Sequence, residues 1–317
     1  MSATSSDEAK IKLFDIPGPE FDIESASLTD LSKHGLPIGK NSRERALITR
    51  ALSKMRGRLR FAKPEFEILP PRGRLLQRTK RKSPGIEESE LAFNWAGVVN
   101  YAQYDDPVRW VTTEFTVPNV AGTAPGTAGN SAHWVGIDGA TEDLAGQQLC
   151  QCGVECDNTP GKEQCTPYVW IEWVPGPMIR LYSKTFLLSP GDLLGVTLCT
   201  AGRGATTATA YFYNVTTGVA LTPVQIQAPP GVSLSGETVE WISERPKDLV
   251  SGEFFQLGNF GSVVFCECNA GTASGAALPA AESGVYEMSR SADDNTLLCE
   301  CTVPTLGMVR TIWMLSE

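Results

Sequence analysis

Most of the chain consists of short β-branched and aromatic segments separated by turn residues. From about Leu91 onward these segments are rich in Val and Thr, and Gly, Pro, Asn or Asp occupies most of the gaps. Examples are LAFNWAGVVNYAQY, VRWVTTEFTV, HWVGID, PYVWIEWV, LLGVTLCTA, TATAYFYNVTTG and VRTIWML. Because no helical periodicity interrupts them, residues 91–317 are predicted to form an all-β domain, a sandwich or barrel of mainly antiparallel strands.

Charge divides the chain at about residue 82. Residues 1–82 contain 18 Lys+Arg and 10 Asp+Glu, whereas residues 83–317 contain the remaining 9 Lys+Arg and 26 Asp+Glu. Phosphate contacts need clustered Lys and Arg, so this acidic domain is not expected to bind nucleic acid. No apolar run is long enough to cross a bilayer, and we expect no membrane partner.

The N-terminal part has the features of a basic pro-segment. Residues 1–40 are mixed and predicted to be loosely ordered, and residues 42–61 carry an apolar stripe typical of an amphipathic helix. An extended stretch, KPEFEILPPRG, and the basic cluster RTKRK at residues 78–82 follow. We expect residues 1–90 to lie on their own acidic domain as a binding partner, joined by a cleavable linker. The first residues lack the basic and apolar regions of a signal peptide.

The cysteines and histidines limit the chemistry available to this chain. Nine cysteines favour disulfides, and Cys156 and Cys165 flank a turn across which they could bridge. A cysteine-only zinc site is the alternative, although the usual C-x2–4-C spacing is missing. Of the two histidines, His133 is predicted to be a hydrogen-bonded strand residue and His34 lies in the N-terminal part. Acid–base catalysis therefore falls to carboxylates, with no metal or organic cofactor.

Carboxylates share strand faces with tryptophan and amide side chains. In TVEWISERP, period-2 alternation puts Glu240 and Glu244 on one face. The same rule pairs Gln151 with Glu155, Trp134 with Asp138, and Trp170 with Glu172. If these faces line one concave sheet, crowding separates the pKa values of the carboxylates and supplies a proton donor and a proton acceptor. An ordinary solvated sheet face would produce the same pattern.

The ordered motifs NWAGVV, WVGIDG, LCQCGVEC, YVWIEWVP, NVTTG and VEWISERP resemble those of the glutamic peptidases, the eqolisins. The resemblance covers about residues 91–270 clearly, and it implies a two-sheet antiparallel β-sandwich similar to concanavalin A folds. It implies catalytic roles for Gln151 and Glu244. It implies cleft or supporting roles for Trp95, Trp134, Asp138, Glu155, Trp170, Glu172 and Glu240. Two departures are Glu155, where the family has Asp, and Arg245, where it has an acidic residue.

The implied function is acid endopeptidase activity on polypeptide substrates, by a monomer that is secreted or extracytoplasmic. One alternative is a non-catalytic β-sandwich module that binds carbohydrate or protein through its exposed aromatic residues. A paired-carboxylate glycoside hydrolase is the other alternative. Glycoside hydrolases usually employ two carboxylates, so a glutamine at position 151 argues against that reading.

Overall fold

The structure, a computed structural model, is almost entirely β-sheet. It describes residues 10–314 apart from 19, 23–24, 37–59, 73–74, 83–88, 125, 141–147, 249–250, 283 and 292–295. The helix predicted over residues 42–61 lies almost wholly outside these described residues. Helix α1 (Leu28–Lys33) is short, and a 3-10 turn spans Ala280–Glu282. Within the described residues, no helix is long and apolar enough to span a bilayer.

Twenty strands carry the architecture. They are β1 (Ile11–Leu13), β2 (Arg60–Ala62), β3 (Glu65–Leu69), β4 (Arg78–Lys82), β5 (Ser89–Ala92), β6 (Trp95–Tyr101), β7 (Val108–Thr116), β8 (Gly129–Ile137), β9 (Leu149–Asn158), β10 (Thr166–Val174), β11 (Met178–Tyr182), β12 (Leu193–Thr200), β13 (Thr207–Asn214), β14 (Val219–Leu221), β15 (Val224–Gln227), β16 (Thr238–Glu244), β17 (Ser262–Thr272), β18 (Gly284–Ser289), β19 (Leu297–Thr305) and β20 (Met308–Trp313).

These strands form two sheets that share β17. The first sheet has the order β17–β7–β12–β13–β15–β1, and the short strands β14 and β2 continue from β13. The second sheet has the order β3–β11–β10–β9–β8–β16–β6–β18–β5–β4, and β19, β20 and the start of β17 extend it beside β18. Nearly all pairings are antiparallel, which confirms the predicted fold class.

The main core lies between the two sheets. On β9 it receives Cys150, Cys152, Val154 and Cys156, the residues that alternation placed opposite Gln151. Trp241 of β16 is fully buried there, and its indole N–H donates to the Thr112 carbonyl of the other sheet over 3.1 Å. The apolar side of each strand therefore faces the core between the sheets. The polar side of β8, β9, β10 and β16 lies on the opposite face of the second sheet.

The expected disulfides are absent, because all nine cysteines lie in the described part and are free thiols. Cys156 and Cys165 are neighbours, as the turn between them suggested, but they interact as thiols. A hydrogen bond from Cys156 lowers the pKa of Cys165 to about 7, whereas burial raises that of Cys156. The sequence correctly indicated their proximity but not their oxidation state.

The N-terminal segment adds strands to the edges of both sheets. Strand β1 pairs with β15, β2 with β14, and β3 with β11. Helix α1 begins at the cap Ser27, and the apolar residues Leu31 and Leu36 pack on Tyr211 of the first sheet. The expectation of loose order was thus wrong for the described residues between 10 and 36, because sheet edges and an apolar surface hold them in place.

His133 is a buried strand residue with both ring nitrogens hydrogen-bonded, as predicted. Its Nδ1 lies 2.8 Å from the Ser243 hydroxyl and its Nε2 lies 3.1 Å from the Ser131 hydroxyl. Phe260 packs against the imidazole edge at a centroid distance of 5.0 Å. Complete burial disfavours the charged ring and lowers the pKa of His133 to about 3.

We predict that His133→Gln flattens the loss of stability in acid. The unfolded chain binds a proton near pH 6.5 that the folded chain does not bind until about pH 3. Stability should therefore fall by about 1.4 kcal/mol per pH unit between those limits in the wild type. Urea unfolding at pH 7, 5.5 and 4 measures the effect. Parallel pH profiles for variant and wild type would contradict it, whatever the constant cost of the lost hydrogen bonds.

Candidate active site

The polar face of the second sheet carries the predicted site in three rows. Read across β16, β8, β9 and β10, the first row is Glu240, Gly136, Gln151 and Glu172; the second is Ile242, Trp134, Gly153 and Trp170; the third is Glu244, Ala132, Glu155 and Tyr168. The antiparallel register thus brings every predicted catalytic residue onto one face. Adjacent strands are about 4.8 Å apart, so residues within a row are direct neighbours.

Gln151 is held by the neighbouring strand. Its amide nitrogen donates to Oε2 of Glu172 over 2.9 Å, and both side chains are fully buried. The amide oxygen of Gln151 has no hydrogen-bond partner among the described residues. Because Glu172 fixes which end of the amide is the donor, that oxygen is left to accept a hydrogen bond.

Glu244 is oriented by a tryptophan from the adjacent strand. The indole N–H of Trp134 donates to Oε2 of Glu244 over 2.7 Å, within the buried part of the sheet face. Trp95, the partner of Glu244 on β6, meets the Trp134 ring edge-on at a centroid distance of 5.0 Å. This packing gives the Glu244 carboxylate one fixed position, as a catalytic acid or base needs.

Glu240, like the other glutamates of the two outer rows, is withdrawn from solvent. It is fully buried, and neither carboxylate oxygen has a hydrogen-bond partner among the described residues. Burial raises the pKa of Glu240 well above its usual range, and the charge of Asp138 adds to the rise. The nearby Thr238 hydroxyl offsets only part of this shift. Burial therefore favours the protonated, neutral form of Glu240.

Gly136 gives Glu240 its position. A Cβ atom at Gly136 would lie 3.1 Å from Oε2 of Glu240 and 2.8 Å from the Trp134 ring. A larger residue would thus crowd both groups. The glycine lies between Glu240 and Gln151, its neighbours on either side in the same row.

Asp138 supports the site from outside it. Its carboxylate accepts hydrogen bonds from the backbone N–H groups of Ser235, Gly236 and Glu237, and from the Ser235 hydroxyl at 2.8 Å. Burial raises the pKa of Asp138, and these hydrogen bonds oppose the rise. The residue fixes the turn that leads into β16, so it positions Glu240 and Glu244 through their strand.

Arg245 does not approach the neighbouring glutamate. Its Nε donates to the Phe255 carbonyl over 2.8 Å, and its guanidinium lies 5.0 Å from the Phe254 ring centroid. Arg245 follows the last residue of β16, and these contacts direct its side chain towards the segment around Phe255.

Arg72 of the N-terminal segment enters the site, and sequence reasoning missed this contact. Its guanidinium forms an ion pair and hydrogen bond with Glu155, and it lies 3.7 Å from Asp157. The Arg72 backbone N–H donates to Oε1 of Glu172 over 3.2 Å. Glu172 thus bridges the N-terminal segment and the amide of Gln151.

Apolar residues beside Arg72 close the face. Leu69, Leu75 and Leu76 pack against the cluster that contains the site tryptophans, and the Asn94 side chain bonds backbone groups of Leu75 and Gln77. The five glutamate and glutamine side chains of the two outer rows have no solvent exposure. The signal that could have revealed this cover was the stretch PPRGRLL, where arginines and leucines directly follow a predicted strand.

The model of the Peptidase A4 family matches residues 93–312. Among solved structures, scytalido-glutamic peptidase with a transition state analog inhibitor is 22% identical, with a TM-score of 0.57 over 70% of this chain and 98% of that chain. SCP-B, a member of the Eqolisin family, is 21% identical, with a TM-score of 0.55 over the same shares. These likenesses show a shared β-sandwich fold. No curated protein sequence is significantly similar to the chain.

We predict that Glu240→Gln stabilises the protein at pH 7 but not at pH 4. The unfolded chain releases this proton above about pH 4.5, whereas the folded chain keeps it, so the wild type loses stability as pH rises. A neutral amide of the same shape removes that loss. Thermal unfolding at both pH values tests it, with the more exposed Glu237→Gln as control. Equal effects at pH 4 and 7 would contradict the prediction.

Proposed function

Because this chain belongs to the peptidase A4 family, it is a peptidase, and we propose that Glu244 and Gln151 are its catalytic pair. The observation that carries the proposal is their placement on one buried face, each oriented by a neighbour: Trp134 for Glu244 and Glu172 for Gln151. The substrates are polypeptides cleaved in acid. Secretion and a monomeric state belong to the same proposal.

A peptide bond lying over the middle row would have both groups within reach of its carbonyl. Glu244 and Gln151 occupy the two outer rows, with Trp134 and Gly153 between them. The two outer rows lie about 13 Å apart along the strands. The long side chains of Glu244 and Gln151 reach inward from these rows, and the gap left between them has room for a carbonyl and a water. Gly153 has no side chain that would project into this space, and a Cβ there would lie only 2.5 Å from Cβ of Trp134.

In this arrangement Glu244 accepts a proton from the attacking water and later returns it to the leaving amine. The Gln151 amide holds the water through its oxygen and stabilises the tetrahedral oxyanion through its N–H, a contribution of about 3–4 kcal/mol in comparable sites. The Trp134 N–H donates to Oε2 of Glu244 and so orients the carboxylate for this role. Glu240, whose raised pKa favours the protonated form, is the alternative proton donor in the Gln151 row.

We further propose that residues 1–90 keep the enzyme latent until acid releases them. Arg72 is bound to Glu155 and Glu172, and the leucines around it cover the polar face of the second sheet. A substrate therefore cannot enter while this segment is bound. Protonation of carboxylates in acid weakens the ion pairs and frees the segment. Cleavage near the basic cluster at Lys82 would then make release permanent.

The earlier alternatives lose their support. The family match is to a peptidase, which removes the reason to invoke a glycoside hydrolase or a binding module. The tryptophans of the site are buried under the N-terminal segment rather than displayed as a platform.

We predict that Glu244→Gln lowers acid proteolysis of a denatured protein by about 10²–10⁴-fold, because it removes the proton acceptor. Gln151→Ala should lower it by about 10²–10³-fold. Activity is measured from pH 2 to 7 on chains whose folding is checked by circular dichroism. Glu237→Gln is the control. Full activity in Glu244→Gln with loss in Glu240→Gln would move the catalytic role to Glu240.

We also predict that Arg72→Gln activates at higher pH than the wild type. Removing the guanidinium abolishes the ion pairs with Glu155 and Asp157 that acid must otherwise break. The measurement is the pH at which half of the full-length chain is converted, followed by mass spectrometry. Arg203→Gln, which removes a cation that pairs with Glu237 instead, is the matched control. An unchanged midpoint would contradict the latency scheme while leaving the catalytic pair untouched.

A further inference from the structure

Strand β3 of the N-terminal segment forms the outer edge of the second sheet. It pairs antiparallel with β11 along all five residues of each strand, and Leu69 lies opposite Met178. Met178 in turn lies opposite Glu172, so Leu69 continues the row that contains Gln151. The N-terminal segment therefore leaves the sheet edge level with the proposed catalytic glutamine.

The side chains of β3 contribute little to this pairing. Four of its five residues are exposed, and Leu69 is half-buried. Glu67 lies 3.6 Å from Arg180 of β11, but both side chains are partly exposed, and ion pairs in that setting are weak. The ladder is thus held by backbone hydrogen bonds, which any extended polypeptide can supply.

Beyond β3, the segment is also held on the polar face through its main chain. The Arg72 N–H donates to Glu172, and the Leu76 N–H donates to the Gly139 carbonyl over 3.4 Å. The Asn94 side chain bonds the backbone on both sides of Leu76, at 3.0 Å each. Glu172 belongs to β10, whereas Gly139 and Asn94 adjoin β8 and β6. The segment therefore crosses the face from the β11 side to the far side.

Departure of the segment makes these contacts available to another main chain. The backbone groups of β11 that now bond β3 lose those partners, and so do the Gly139 carbonyl and the Asn94 amide. Unpaired sheet edges readily take up extended chains. A polypeptide must lie over this same face to be cleaved by the proposed catalytic pair, which brings it next to the edge.

We propose that β11 is a substrate-binding edge, on which part of a polypeptide substrate pairs as an added strand before crossing the polar face towards Asn94. This rests on the catalytic pair and on the release of residues 1–90 proposed above. The substrates are unfolded chains long enough to span both the edge and the cleft, with little demand on their side chains at the edge. A short peptide that reaches only the catalytic pair lacks the edge contacts and binds more weakly.

The first test measures binding to an unpaired β11 edge without catalysis. Phe66→Pro/Glu67→Pro removes two successive backbone donors, so it unpairs β3 whichever of them faces β11. A labelled peptide of residues 63–72 is titrated into this full-length variant at pH 7. Two further copies are N-methylated, one at residues 65, 67 and 69 and the other at 66 and 68. Because only alternate N–H groups face β11, one copy should lose about tenfold or more in affinity and the other should bind like the parent peptide.

Hydrogen exchange locates the bound peptide. Residues 178–182 should gain protection in the variant, and the wild type, whose edge is filled by β3, should bind the peptide more weakly. Absence of saturable binding, or equal affinity of the two methylated copies, would overturn the proposal. If the double variant fails to fold, the wild-type chain after acid treatment replaces it under the same criteria.

The second test distinguishes the edge from the catalytic pair. A peptide that spans the fastest cleavage site in a denatured protein is extended at its N-terminus by about ten residues of unrelated sequence. We expect kcat/KM to rise about tenfold or more, mainly through KM, and one of the two alternate N-methylation patterns in the extension to cancel the gain. Cleavage that is independent of length would overturn the edge proposal and leave the catalytic pair standing. Edge binding without any cleavage would support the edge and count against the catalytic pair.

Discussion

The antiparallel register of β16, β8, β9 and β10 is the constraint on which the other features of this protein depend. With a period of two, one set of side chains fills the core between the sheets, and the other set meets in rows on the outer face. A shift of one residue would bury Glu240 and Glu244 in the core and expose Trp241. The Trp241 N–H, bonded to the Thr112 carbonyl, and the Asp138 carboxylate, bonded to the turn before β16, both oppose such a shift.

The polar face is a low-dielectric site that its own chain has closed. Burial favours the protonated form of Glu240, whereas Glu155 is paired with the Arg72 guanidinium. In the proposed latency scheme the same carboxylates serve two purposes: they bind the N-terminal segment while it is docked and become available for chemistry when it leaves. His133 behaves in the opposite way, since its burial as a neutral ring makes acid unfavourable to the fold. An acid-acting protein with this core must draw its stability from other groups.

Sequence alternation was sufficient to predict which residues of β9, β10 and β16 share the polar face, because strand geometry is local. It was wrong for Asp138, which was predicted to share a face with Trp134 but follows the end of β8 and bonds to the turn before β16. It also predicted that the cysteines of β9 point away from that face. It did not predict contacts between distant segments, such as Arg72 with Glu155, because no local pattern encodes them. Free thiols at Cys156 and Cys165 were missed for a different reason, since proximity alone does not determine oxidation. The described residues between 10 and 36 are ordered partly because β1 pairs with the edge strand β15, and amino-acid composition does not reveal that this edge is available.

The pairing of β1 with β15 and of β3 with β11 has a consequence for assembly. Departure of the N-terminal segment would expose unpaired backbone groups along two sheet edges at once. The edge of β11 borders the cleft, where an extended polypeptide could pair with it as an added strand. The edge of β15 has no such role, and its unpaired backbone groups could instead pair with a second copy of the chain. Mutual repulsion between acidic domains discourages that contact at neutral pH, and protonation weakens the repulsion in acid. The released domain would therefore be most prone to self-association under the conditions in which we propose that it acts.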